Sequence, residues 1–107
     1  MGIPNQDLKQ NLGADMRIRL LDPVAFNRYL GKEADEMYDF GWIADYPDPQ
    51  NWLSVYWKSN SYFAQRVGYS NPALDTLLDL ADATVDPTVR LDLYMQAQAL
   101  MIGDVPA

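Results

Sequence analysis

Apolar positions in this chain follow two periods, and the same punctuation recurs between them. An Asp or Asn precedes a proline at Asp22-Pro23, Asp48-Pro49, Asn71-Pro72 and Asp86-Pro87. A side-chain oxygen at such a position accepts hydrogen bonds from the free amides of a first helical turn. Proline at the first helical position gives up only a donor that would be unpaired anyway. Each pair therefore predicts a helix start. After Asp22, Phe26, Tyr29 and Leu30 share one face, and Gly31 closes the helix. After Asp48 comes a short helix with Trp52, Leu53 and Tyr56. After Asn71, Leu74, Leu77, Leu78, Ala81 and Val85 form an apolar stripe. After Asp86, Val89, Leu93, Ala97, Leu100 and Met101 form another, with Gly103 and Pro106 at its end. A further short helix is predicted from Pro4 to Leu12, stopped at Gly13.

Two segments have the other period. Asp15 to Leu21 sets Met16, Ile18 and Leu20 against Arg17 and Arg19, the alternation of a strand. Tyr38 to Ala44 is short, mostly apolar and rich in aromatics, which suits a buried strand. Asn60 to Tyr69 has no clear period and is expected to be loop. Helix, strand, helix, strand and then helices describe an α/β architecture: few strands flanked by helices, with a helical C-terminal half. Two strands make a poor free-standing sheet. Residues 1–107 therefore predict a single piece of a larger lobe, with no interior linker.

Composition narrows the function. The chain carries a formal charge of −7 and a pI near 4.2. Such a surface repels phosphate backbones and offers no basic patch to anionic lipid, so no nucleic acid partner is expected. There is no histidine and no cysteine. That excludes a histidine-based triad, histidine-ligated zinc and thiolate chemistry within the chain. No EF-hand spacing occurs. No metal, cofactor or catalytic residue is expected. No apolar run reaches the ~20 residues of a membrane helix, so no direct membrane insertion is expected. The first residues lack the features of a signal peptide.

The densest cluster of candidate chemistry runs from Tyr38 to Pro49, where a predicted strand ends and a loop leads to a helix. Ligands gather at such places in open α/β sheets. Trp42 and Tyr46 offer broad apolar surface with polar edges, and Asp45 offers a charge for a ligand ammonium. Each also has a plainer reading. Asp48 reads as a helix cap and Asp39 as a turn residue. Trp42 fits a core, and Asp45 fits a loop carboxylate held by backbone amides. Asp39, Asp45 and Asp48 together leave open a carboxylate-based hydrolase. A small acidic helical interaction module is a third alternative.

At this cluster the chain resembles the family 5 solute-binding proteins of ABC importers, which include oligopeptide-, dipeptide- and nickel-binding members. The most specific stretch is Tyr38-Asp39 with Gly41-Trp42, then Ala44-Asp45-Tyr46-Pro47-Asp48-Pro49. Tyr69-Ser70-Asn71-Pro72 follows, with Leu74-Asp75 and Leu77-Leu78. Arg90, Leu93-Tyr94, Ala97-Gln98 and Asp104 with Pro106 resemble the family's later helix. Ile3 to Gly13 and Asp15 to Leu30 also resemble family segments, whereas Phe63 to Gly68 is less typical. The resemblance implies a partial C-terminal lobe of a two-lobed periplasmic-binding-protein-like fold. It implies an extracytoplasmic parent, periplasmic or lipid-anchored, that captures a peptide or similar cationic or zwitterionic solute between its lobes. The parent would deliver that solute to the membrane subunits of an ABC importer. In this reading Asp45 pairs with a peptide α-amino group, Trp42 lines the cleft and Tyr46 lies beside them. Apolar faces left uncovered in a partial lobe predict that the chain forms a homodimer.

Overall fold

The computed structural model describes residues 3–30 and 37–106. The chain divides into two compact units, residues 1–33 and 34–107. In the first unit lie α1 (Ile3–Leu12) and α2 (Pro23–Leu30). Gly13 ends α1 with φ near +67°, a conformation glycine adopts without a Cβ penalty. The N–H groups of Gly13 and Ala14 return to the carbonyls of Lys9 and Leu8 at 3.1 and 3.3 Å. Asp22 opens α2 as its residue type predicts: its Oδ1 accepts from the N–H groups of Val24 and Ala25 at 3.0 and 2.9 Å. The predicted stop at Gly31 lies outside the described residues.

The second unit is built from α3 (Pro49–Trp52), α4 (Ser54–Trp57), α5 (Tyr62–Arg66), α6 (Pro72–Ala83) and α7 (Pro87–Asp104). Its core is the hairpin of α6 and α7. The linker between them has only three residues, which forces the two helices to run antiparallel. Leu74, Leu78 and Ala81 of α6 are fully buried against Tyr94 and Ala97 of α7. Leu53 joins them, and Trp57, Tyr69, Leu77, Leu93, Leu100 and Met101 pack around the edge.

The starts of both helices follow the predicted chemistry. Asn71 Oδ1 accepts from the N–H groups of Ala73 and Leu74 at 2.9 and 3.2 Å. Asp86 Oδ1 accepts from those of Thr88 and Val89 at 2.9 and 3.0 Å. The far end of the hairpin is tied across the chain. Asp104 Oδ2 accepts from Asn71 Nδ2 at 2.6 Å and from the Tyr69 hydroxyl at 2.8 Å. These two hydrogen bonds hold the Asp104 carboxyl below its ordinary range. The opening of α6 and the close of α7 are thereby fastened together.

Two expectations fail here. The α/β architecture is not seen: among the described residues every regular element is a helix, and neither Asp15–Leu21 nor Tyr38–Ala44 forms a strand. An extended segment becomes a strand only when another lies beside it to complete its hydrogen-bond ladder. In 15–21 the predicted buried face is not covered either, since Ile18 and Leu20 are exposed. In 38–44 the alternation survives without a ladder. Tyr38, Phe40, Trp42 and Ala44 are half-buried, and Asp39, Gly41 and Ile43 are exposed. The second failure is α5, which forms where a loop was expected. Its signal is Ser61, whose Oγ accepts from Ala64 N–H at 3.0 Å and donates to the Tyr56 carbonyl at 2.6 Å.

The stripes and caps give a direct test. Leu78→Ala should lower the unfolding free energy by about 2–5 kcal/mol, because its cavity lies at the centre of the hairpin. Asn71→Ala should cost about 1 kcal/mol from the lost cap. Urea unfolding of the two variants checks both values and their order.

Candidate functional site

The loop after the alternating segment is folded around one buried side chain. Asn51, in the last turn of the short α3, is 1% exposed. Its Oδ1 accepts from Trp42 Nε1 at 3.0 Å and from the main-chain N–H of Asp45 at 3.2 Å. One oxygen thus fixes both the indole of Trp42 and the backbone at Asp45. The Asp45 residue is exposed, and its carboxylate takes no hydrogen bond or ion pair among the described residues. Among the described residues no backbone amide reaches the Asp45 carboxylate; its own amide is held by Asn51 instead. Tyr46 is 40% exposed, and its hydroxyl donates to Gln50 Oε1 at 3.0 Å.

Trp42 is positioned by rings as well. It meets Tyr56 and Phe63 edge-on, with centroids 5.6 and 5.0 Å away. Those two rings stack on each other at 4.4 Å, within 4° of parallel. Phe40 leans on Phe63 at 5.5 Å. Edge-on and offset contacts of this kind are favourable because the ring edge is positive and the face negative. Phe40 and Trp42 thus rest on α5, and Trp42 on α4 as well. The α5 that sequence patterning missed supplies Phe63, the ring that touches both Phe40 and Trp42.

A polar chain anchors the other end of the loop. Asp48 caps α3, accepting from Gln50 N–H at 2.9 Å. The same carboxylate receives two hydrogen bonds from the Arg90 guanidinium of α7, at 2.8 and 2.9 Å. This two-pronged geometry matches the planar fork of arginine to the two carboxylate oxygens. Arg90 also donates to the Tyr94 hydroxyl at 2.9 Å. That hydroxyl donates to Asp82 Oδ1 at 2.6 Å, which also accepts from Ser54 Oγ at 2.8 Å. The pairing with Arg90, and then the Gln50 amide, hold the Asp48 carboxyl below the ordinary aspartate range. Burial, reinforced by the hydrogen bond to Asp82, pushes the Tyr94 phenol well above its usual range, so it stays protonated and donates.

Of the three residues picked from sequence, Trp42 and Asp45 are brought together by Asn51, and Tyr46 lies next to them on the loop. Asn51 is not picked out by the sequence, and Arg90 is picked out only within the later helix's pattern, not as the partner of Asp48. The caps and stripes are local patterns, whereas Arg90 lies 42 residues from Asp48 and no spacing announces their pairing. Beside the loop an open groove of about 580 Å³ is lined by Pro47, Asp48, Trp52, Leu53, Trp57 and Met101, among others. Trp42, Asp45 and Tyr46 do not line it. Among the described residues no group of acids could hold a metal ion, and no helix is long and apolar enough to cross a membrane.

Known proteins with similar sequences are peptide binders. The chain is 31% identical over 101 residues to the oligopeptide-binding protein OppA of Bacillus subtilis (strain 168), covering 92% of this chain and 18% of that protein. It is 35% identical over 68 residues to a dipeptide-binding protein of Pseudomonas aeruginosa, covering 63% of this chain and 13% of that one. It is 27% identical over 106 residues to an Escherichia coli (strain K12) protein named "Probable D,D-dipeptide-binding periplasmic protein DdpA", covering 97% and 20%. No family model matches the chain, and no solved structure matches it. The resemblance read from the residues is thus borne out: the chain is homologous to part of the oligopeptide- and dipeptide-binding proteins. It spans a fifth or less of the length of these curated relatives. The relatives are named as binding proteins and not as enzymes, in agreement with the non-enzyme reading.

The clamp on Asp48 has a pH signature. Its folded pKa is depressed, so the pairing stabilises the fold above the unfolded aspartate value of about 3.9 and is lost as pH falls through the folded value. The Arg90 and Asp48 side chains are 24% and 32% exposed, so solvent screens the pair. Asp48→Asn should therefore lower stability at pH 7 by only about 1 kcal/mol. Its difference from wild type should shrink as pH falls below about 4. Thermal unfolding of both proteins from pH 7 to pH 3 checks the direction.

Proposed function

We propose that this chain is part of the ligand-holding lobe of an extracytoplasmic solute-binding protein serving an ABC-type peptide importer. Its ligand is a peptide or a similar zwitterionic or cationic solute. Asp45 is the counter-ion for the ligand's ammonium group, Trp42 forms part of the wall and Tyr46 flanks the entrance. The observation that carries this reading is the contrast between two neighbouring acids. Asp48 is fully engaged by a helix cap and an arginine. The Asp45 residue is exposed, its carboxylate has no partner among the described residues, and the loop's backbone is fixed from within. The names of the relatives supply the ligand class.

The mechanism is capture by closure. Ligand enters an open cleft, a second lobe swings over it and water is largely excluded. In that drier setting a charge-assisted hydrogen bond from the ammonium to Asp45 contributes about 1.5–3 kcal/mol. Asp45→Asn should therefore weaken peptide binding at least tenfold while leaving unfolding unchanged. Asp48→Asn should mainly lower stability. Calorimetric titration with a tripeptide, run on both variants at full protein length, separates the two roles. Equal affinity for wild type and Asp45→Asn would remove the assignment.

A second reading, a helical surface for self-association, is favoured by one feature of α7. Leu91, Met95 and Ile102 are exposed at spacings of four and seven, which places them on one side of the helix, away from the core face. If a second copy covers them, Met95→Glu should convert a dimer to a monomer. Light scattering on the chain and the variant tests this, and a monomeric wild type at high concentration overturns it.

A further inference from the structure

We infer that Asn51 is a positioning residue of the ligand site, setting the direction of the Asp45 carboxylate through the main chain and of Trp42 through its indole. The inference rests on the reading of Asp45 as the amine-binding acid. Its grounds are geometric. Asn51 is almost fully buried, and its amide oxygen is shared by two donors that lie nine and six residues away in sequence. Both partners are N–H groups, so the atom that faces them must be the oxygen, and its two lone pairs are both in use. Because Asn51 is buried, water cannot readily substitute for the lost acceptor, and two donors would be left unpaired together.

The coupling has a consequence for specificity. A turn of the Asp45 peptide plane swings its Cα–Cβ bond, so the carboxylate moves relative to the indole. Asn51 resists that movement because its oxygen cannot follow one donor without losing the other. Its place in the last turn of α3 holds the oxygen in turn. That turn is itself capped by Asp48, which α7 grips through Arg90. The amine-binding acid is thereby referenced to the helical core although it lies on a loop. A site held this way should distinguish a free ammonium from a neutral amide sharply, whereas a mobile carboxylate would distinguish them poorly.

The test compares trialanine with N-acetyl-trialanine by calorimetric titration in the protein at its full natural length. Wild type should favour the free amine at least tenfold. Asn51→Leu, of similar volume but without an acceptor, should bring that ratio below about threefold. Asn51→Asp, which keeps an oxygen in place, should retain most of it. The Trp42 indole N–H proton resonance should move in Asn51→Leu and stay closer to wild type in Asn51→Asp, a change that a general loss of stability would not produce. If Asn51→Leu does not fold, Asn51→Ser, whose oxygen reaches less far, should give the same loss of ratio. A folded Asn51→Leu or Asn51→Ser protein that keeps the wild-type ratio overturns the inference and leaves the role of Asp45 standing. A wild type that binds both peptides equally overturns the role of Asp45, and the inference with it.

Discussion

The second unit depends on a carboxylate used twice. Asp48 accepts the first free amide of α3 on Oδ1 and, with both oxygens, the fork of Arg90 from the first turn of α7. Either bond alone would be ordinary. Together they fix where the aromatic loop meets the helical hairpin, because a short helix of four residues has too few internal hydrogen bonds to hold its own place. The arginine is held in turn by Tyr94, which is held by Asp82, which also takes Ser54. Every member of this chain is satisfied, and that is the condition under which a partly buried polar network rigidifies a core instead of loosening it.

The hairpin beneath is an apolar solution to the same problem. α6 and α7 bury Leu74, Leu78, Ala81, Tyr94 and Ala97 with almost nothing exposed. Tyr94 belongs to both systems: its ring is core and its hydroxyl is a link in the polar chain. A phenylalanine there would fill the volume but strand the guanidinium and Asp82 without their common partner. The core and the loop are therefore joined through one residue as well as through one carboxylate.

What could be read in advance divides by distance along the chain. Asp22, Asn71 and Asp86 were legible as caps because a cap reaches only two or three residues. The stripes of α6 and α7 were legible because a helix closes its hydrogen bonds within itself. The strands were misread because a strand does not: its alternation states which side is apolar but not what lies beside it. Residues 38–44 keep the alternation, with Phe40 and Trp42 turned toward Phe63, and lack the ladder. In the candidate site, Trp42, Asp45 and Tyr46 were found by residue type. Asn51 was not, since a buried amide has no period and its partners are donors found only once the loop has turned back on itself.

The division of labour between Asp45 and Asp48 follows from this geometry. Both precede or follow a proline-rich turn, both lie within four residues of α3, and residue type alone cannot rank them. Position decides. An acid directly before Pro49 has the free amides of a helix within reach, so its charge is neutralised locally and then again by Arg90. An acid three residues earlier is beyond that reach, and its own N–H is drawn inward by Asn51. Drawing the amide in leaves the carboxylate outside. The fold therefore engages one charge twice and holds the other residue by its amide, so that among the described residues the Asp45 carboxylate takes no partner.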